Sequence, residues 1–152
     1  MTVLITEAPF QPWQKLAEQE TIRKRTDGAG SVCACASFVG TMRDFNEWDD
    51  VVGMTLEHYP GMTEKQLQHI IERAAQQWSL LDTLIIHRVG ELNPGDPIVL
   101  TAVWSAHRAD AFEACRFLME ALKSEATFWK KERLKNATDR WVAKNTPGYT
   151  NS

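Results

Sequence analysis

Residues 83–108 read TLIIHRVGELNPGDPIVLTAVWSAHR. Thr83 to Val89 is an apolar, β-branched run of strand length, and Ile98 to Ala106 is another. Between them Asn93-Pro94-Gly95-Asp96-Pro97 forms a turn, because Pro94-Gly95 suits the two central positions of a type II turn. The second strand passes directly into a helix from about Arg108 to Ser124. On that helix Phe112, Cys115, Met119 and Leu122 make an apolar stripe, broadened by Ala111, Ala114 and Leu118. A doubly wound sheet needs a helical crossover between successive strands, and here a tight turn stands in its place. The order predicts an α+β sandwich of mixed and antiparallel strands with two main helices.

The other main helix lies upstream. Thr63 opens it, with Gln66 three residues on as a capping box. Leu67, Ile70, Ile71, Ala74, Ala75 and Trp78 then fall on one helical face. Val51 to Tyr59 is a strand that Pro60-Gly61 breaks, and Ser31 to Val39 is a small, apolar, buried strand. Arg43 to Asp50 is a polar loop. Near the N-terminus a short helix is expected over about Pro12 to Arg23, with Trp13 and Leu16 packing inward, followed by a turn at Asp27-Gly28. Phe128-Trp129 and Trp141-Val142 suit short closing strands. No repeat or linker divides the chain. The expected organisation is one domain over 1–152, with 1–27 as an N-terminal extension and 145–152 as a flexible tail.

The length of 152 residues suits one core. Charged residues at 24% and hydrophobic residues at 43% exclude a disordered tail, a fibre and a solvated coiled coil. The net charge of −3 argues against a general nucleic-acid coat, whose affinity depends on many phosphate contacts. The longest uncharged stretch, between Asp27 and Arg43, is too short and too glycine-rich to span a bilayer. No signal-peptide pattern opens the chain, and Cys33, Cys35 and Cys115 follow no disulfide-scaffold spacing. A reducing cytoplasm with free, core-packed thiols is the expectation.

Charge is unevenly spread. Lys123 to Lys144 holds seven cations and three anions, a balance of +4, so the rest of the chain carries −7. Such a segment is either a solvated surface or a local site for an anion or an acidic partner. Lys123 ends a helix, where the dipole favours a cation. Lys130 and Lys131 lie in an extended stretch, so alternation turns one inward and one outward. An inward lysine is costly unless it meets an anion. Arg43 follows a buried strand and either points into a pocket or pairs with Asp44 or Asp49. Ser105-Ala106-His107-Arg108 lies where a strand enters a helix, a place whose free N–H groups favour phosphate; the alternative is that His107 merely caps the helix. Two thiols and scattered histidines make no zinc site, and no metal is expected.

Six motifs then stand in order: Phe38-Val39-Gly40-Thr41-Met42-Arg43-Asp44-Phe45-Asn46, Leu56-Glu57-His58-Tyr59-Pro60-Gly61-Met62, Ile86-His87-Arg88-Val89-Gly90-Glu91-Leu92, Ser105-Ala106-His107-Arg108 with Ala111-Phe112-Glu113-Ala114, Phe128-Trp129-Lys130-Lys131-Glu132, and Asp139-Arg140-Trp141-Val142. Together they resemble the large, catalytic subunit of molybdopterin synthase over about residues 28 to 144. The resemblance implies an α/β-hammerhead-type fold and a homodimer at the core of a heterotetramer. It further implies a small ubiquitin-like sulfur-carrier subunit, ending in a Gly-Gly thiocarboxylate, that delivers two dithiolene sulfurs to cyclic pyranopterin monophosphate. By the same likeness Lys123 and Lys130 are the catalytic residues. Thr41, Met42, Arg43, His107, Arg108, Lys131 and Glu132 join them in binding substrate, with His107 and Arg108 supplied across the dimer interface. No cofactor, membrane or nucleic acid is implied. Thr127 departs from the family pattern, standing where proline is common, and Glu47-Trp48-Asp49-Asp50 is bulkier and more acidic than usual. Two other classes of function fit the basic segment: a non-catalytic module that docks the tail of a ubiquitin-like partner, and a single-stranded RNA binder using Trp129 and Trp141.

Overall fold

The computed structural model describes residues 1–26, 30, 32–46 and 49–142. The turn at Asp27-Gly28, the strand start at Ser31, the loop residues Glu47 and Trp48 and the tail 145–152 lie outside the described residues. Twelve elements follow in order among those described: β1 (Thr2–Thr6), α1 (Pro12–Thr26), β2 (Ala34–Thr41), β3 (Phe45–Asn46), β4 (Asp49–His58), α2 (Met62–Gln77), β5 (Leu80–Arg88), β6 (Gly90–Leu92), β7 (Pro97–Ser105), α3 (Arg108–Glu125), β8 (Phe128–Leu134) and β9 (Asp139–Val142). They build two sheets. The first has the order β1-β5-β7-β2 and the second β3-β4-β8-β9, with β6 also paired to β4. Among the described residues β1 joins β5 in parallel and the other pairings are antiparallel. The mixed α+β architecture is the expected one.

Alternation along β5 and β7 sorts the core. Ile85, Val99 and Val103 face α2 and α3, meeting Leu67, Ile70, Ile71, Ala74, Leu118 and Leu122. Leu84, Ile86, Leu100, Ala102 and Trp104 face the other way, onto Phe10 and Leu16. Between Val89 and Ile98 the turn forms as foreseen. Gly95 has φ +90°, as the third position of a type II turn requires, and Asp96 N–H donates to the Asn93 carbonyl at 3.0 Å. This turn also holds the end of β2: Met42 N–H donates to Asp96 O at 2.9 Å, and Gly95 N–H donates to Met42 O at 2.8 Å.

Several expectations are corrected. β1 was not foreseen, since five residues bounded by polar chain give little periodicity; its partners on β5 are 82 residues away in sequence, with Leu4 opposite Ile86. Trp13 is 68% exposed. α1 docks instead through Leu16 and three polar residues: Gln19 donates to Asp82 Oδ2 at 2.7 Å, Glu20 accepts from Trp104 Nε1 at 2.7 Å, and Arg23 lies 3.8 Å from Asp82. Phe112 is also 68% exposed, and Ala75 is exposed, so both stripes are narrower than hydropathy suggests. Of the thiols only Cys115 is buried. Cys33 and Cys35 fall opposite to the buried Ala36, at the sheet edge that β2 forms. The polar loop expected over Arg43 to Asp50 contains a hairpin, with Phe45 paired to Asp50.

The start of α2 differs in an instructive way. Its N-cap is Gly61, whose N–H donates to Glu64 Oε2 at 2.6 Å, so Glu64 closes the box and not Gln66. Thr63 and Gln66 are used elsewhere. Buried Thr63 Oγ1 accepts from Tyr59 N–H at 3.0 Å and donates to Thr127 O at 3.1 Å, while Gln66 Oε1 accepts from Thr127 N–H at 2.9 Å. Both backbone groups of Thr127 are therefore tied to α2. A proline at 127 has no N–H and could not make the Gln66 bond. This pair of bonds sets where α3 ends and β8 begins. Thr63→Val should lower unfolding stability by about 1–3 kcal/mol, the cost of stranding buried partners. Met62→Ala, at an exposed position, should stay within about 0.5 kcal/mol in the same urea melts.

Candidate functional site

A cavity of about 330 Å³ opens at the seam between the two sheets. Its wall comes from the end of β2 (Phe38, Gly40, Thr41, Met42), then Arg43, and from β4 (Val51, Met54, Leu56). His87 of β5, Ile98 and Val99 of β7, the last turns of α3 (Met119, Leu122, Lys123) with Ala126, and β8 (Phe128, Lys130, Glu132) complete it. The frame explains the choice of residues. On β8 the register sets Lys130 opposite Leu56 and Glu132 opposite Met54, so both face the cavity. Lys131 faces outward. There it sits 2.8 Å from Asp139 and 5.8 Å from the centre of the Trp141 ring. The alternation expected of the two lysines holds, and Lys131 is the outward one.

The electrostatics of the cavity are those of gathered cations. Arg43, Lys123 and Lys130 line one space. Desolvation by the cavity walls pulls the Lys123 pKa below its ordinary value, and the charges of Lys130 and then Arg43 pull it further; Glu120 opposes them weakly. Two devices offset the repulsion. The negative end of the α3 dipole favours Lys123. Glu132, 2% exposed, lies 3.1 Å from Lys130 and 2.9 Å from Arg140, its cross-strand neighbour on β9. A buried carboxylate shared between two cations keeps Lys130 in place at the wall.

Of the residues expected at the site, Thr41, Met42, Arg43, Lys123, Lys130 and Glu132 come together on this cavity. Lys131 does not. His107 and Arg108 do not either: they stand at the start of α3, and Lys123 lies in its last turn, about 22 Å along the axis at 1.5 Å per residue. His107 does not cap the helix through its side chain; its backbone N–H donates to Ser105 Oγ at 3.1 Å. The sequence reading overlooked His87. Only its two-residue spacing from Ile85 could have shown that it shares the face turned to α3.

The MoaE protein family model matches residues 5–125. The chain belongs to the MoaE family. Molybdopterin synthase catalytic subunit from Ralstonia nicotianae is 50% identical over 141 residues, which is 93% of this chain and 76% of that one. Among solved structures, the molybdopterin biosynthesis MoaE protein from Burkholderia ambifaria superposes with a TM-score of 0.76 at 44% identity, covering 97% of this chain and 92% of that one. Molybdopterin synthase from Staphylococcus aureus gives a TM-score of 0.79 at 30% identity, covering 92% and 96%. The expected resemblance to a catalytic subunit is borne out, and with it an enzymatic role in molybdopterin synthesis. Like the MoaE model, the relative spans most of the chain; an alignment over 93% of it extends past the model's end to include the β8 residues Lys130 and Glu132. No helix among the described residues is long and apolar enough to cross a membrane.

The cation cluster makes a direct prediction for this MoaE chain. Removing a neighbouring positive charge relieves Lys123, so Lys130→Gln and Arg43→Gln should each raise its pKa, with the larger rise from Lys130→Gln. A 13C titration of methyl-labelled or ε-labelled lysine reads this; an unchanged or lower Lys123 pKa would contradict the arrangement. Glu132→Ala should cost about 3 kcal/mol of stability, the low end for breaking a buried ion pair.

Proposed function

We propose that this chain is the sulfur-inserting catalytic subunit of a cytoplasmic molybdopterin synthase. It would convert cyclic pyranopterin monophosphate to molybdopterin with two dithiolene sulfurs, each brought by the C-terminal thiocarboxylate of a small ubiquitin-like subunit. The observation that carries this reading is the convergence of Arg43, Lys123 and Lys130 on one cavity with an otherwise largely apolar wall. A phosphorylated substrate and an anionic thiocarboxylate repel each other. Bringing them together needs cations already in place, in a site too dry for water to screen them.

The roles follow from position. Arg43, a planar fork of donors beside the Met42 anchor, suits the substrate phosphate. Lys130, held by Glu132, suits the thiocarboxylate. Lys123 is the better candidate for proton transfer or for attack as an amine, because its lowered pKa enlarges the neutral fraction at a given pH. Each transfer forms a C–S bond to a pterin side-chain carbon as a C–O bond at that carbon breaks, the oxygen leaving as water or on the opened phosphate ester. Water then cleaves the acyl C–S bond, the sulfur stays on the pterin, and the tail leaves as a carboxylate. If Lys123 attacks the acyl–sulfur bond in place of water, its neutral amine displaces the pterin thiolate and holds the acyl group as an amide, which water then cleaves to free the lysine and the tail carboxylate. Thr41 and Met42 shape the wall beside Arg43. His107 and Arg108 bind phosphate from a second copy of the chain in a homodimer, which accounts for their distance from Lys123 within one copy. Lys131 lies outside the cavity and serves the sheet surface.

Lys123→Ala and Lys130→Ala should each reduce turnover with thiocarboxylated partner by about 10²–10³-fold, with the circular dichroism of the folded chain unchanged. Lys123→Arg separates charge from amine chemistry, because arginine stays protonated. Retained turnover in that variant would assign Lys123 an electrostatic role, and loss would assign it an amine role. Wild-type turnover in both alanine variants would overturn the proposal.

A further inference from the structure

His87 is a buried polar group on the cavity wall to which the mechanism above gives no task. It is 5% exposed, and its ring stacks on Phe128 with centroids 3.8 Å apart and planes 14° from parallel. Nδ1 lies 2.8 Å from the Arg88 carbonyl oxygen. A carbonyl only accepts, so Nδ1 carries the hydrogen and Nε2 keeps its lone pair. Stack and hydrogen bond together leave the ring no freedom to turn. Nε2 has no hydrogen-bond partner among the described residues, although the ring borders the cavity.

The surroundings decide what such a nitrogen can do. Burial pushes the His87 pKa down to about 4; the Arg88 carbonyl opposes this, and the charges of Lys123 and His58 assist it. The ring is therefore neutral near pH 7 and far too weak a base to take a proton from a lysine. It remains a hydrogen-bond acceptor. The cations on the same wall only donate, and the Glu132 carboxylate already serves Lys130 and Arg140. A ligand anion is satisfied by those cations. A ligand donor inside the cavity needs a fixed acceptor, and leaving such a donor dry is costly.

We propose that His87 is a specificity-determining residue whose Nε2 accepts a hydrogen bond from a ring N–H of the bound phosphorylated heterocycle. The inference rests on the proposed function for the identity of that heterocycle. Cations hold the charged end, and the imidazole reads the uncharged one. A site built around a fixed acceptor rejects analogues that lack the donor, because the buried partner is then left unpaired.

The test is nitrogen-15 spectroscopy of the full chain labelled at histidine, with cyclic pyranopterin monophosphate as ligand and inorganic phosphate as control. The pterin should move the His87 Nε2 resonance upfield, the direction of a lone pair accepting a hydrogen bond, while phosphate leaves it in place. His87→Phe keeps an aromatic ring for the Phe128 stack. It should bind the pterin about tenfold more weakly, the worth of one hydrogen bond of roughly 1.4 kcal/mol, with phosphate affinity unchanged. A purely structural role would weaken both ligands alike and leave Nε2 unmoved. Pterin binding with a stationary Nε2 overturns the role of His87 alone. An absence of pterin binding to the wild-type chain overturns this inference and the substrate assignment together.

Discussion

Arg43, Lys123 and Lys130 share one small cavity, and like charges in a poorly hydrated space repel. The α3 dipole at Lys123 and the Glu132 carboxylate beside Lys130 offset only part of this. The three cations are held together by elements that are stable for other reasons: a strand end pinned by a type II turn, the last turn of a helix, and a strand whose register is set by seven residues of β4. Under the proposed function, this repulsion would be relieved by the anions the cavity receives. That would suit the proposed chemistry, in which charge developing during acyl–sulfur cleavage meets donors that need not reorganise.

The supporting structure is correspondingly specific. Met42 is clamped by two backbone hydrogen bonds to the 93–96 turn, so Arg43 leaves β2 at a fixed point. Thr127, where a proline would lose one bond, is clamped by Thr63 and Gln66, so Phe128 and Lys130 enter the sheet in a fixed register. Glu132 is buried between Lys130 and Arg140, and this carboxylate is what allows a lysine to line the wall at all. His87, locked by its own neighbour's carbonyl and by the Phe128 ring, adds a neutral group to a wall of charge.

Much of this was legible in the chain. The antiparallel pair β5 and β7 with the 93–97 turn, the helices α2 and α3, and the split between Lys130 and Lys131 follow from periodicity and turn chemistry, which act locally. What was illegible depends on distant pairing. β1 gains its strand conformation from β5. α1 docks through Gln19, Glu20 and Arg23, whose polarity hides a buried face until Asp82 and Trp104 are placed beneath it. Thr63 and Gln66 look like a helix cap and are instead a tether for Thr127. At the site, motif order brought six expected residues to one cavity. The helix expected from Arg108 to Ser124 already set His107 and Arg108 a helix length from Lys123; that a strand histidine faces the same space was not legible, because it depends on tertiary placement.

The central claim is that anions enter a cavity whose cations are strained by one another. It is tested most directly by following the Lys123 ammonium as cyclic pyranopterin monophosphate is added to the intact chain. An arriving anion stabilises the charged form, so the Lys123 pKa should climb back toward the ordinary lysine value on saturation, while that of outward-facing Lys131 stays still. A Lys123 pKa that does not move, or a response confined to Lys131, would contradict the account.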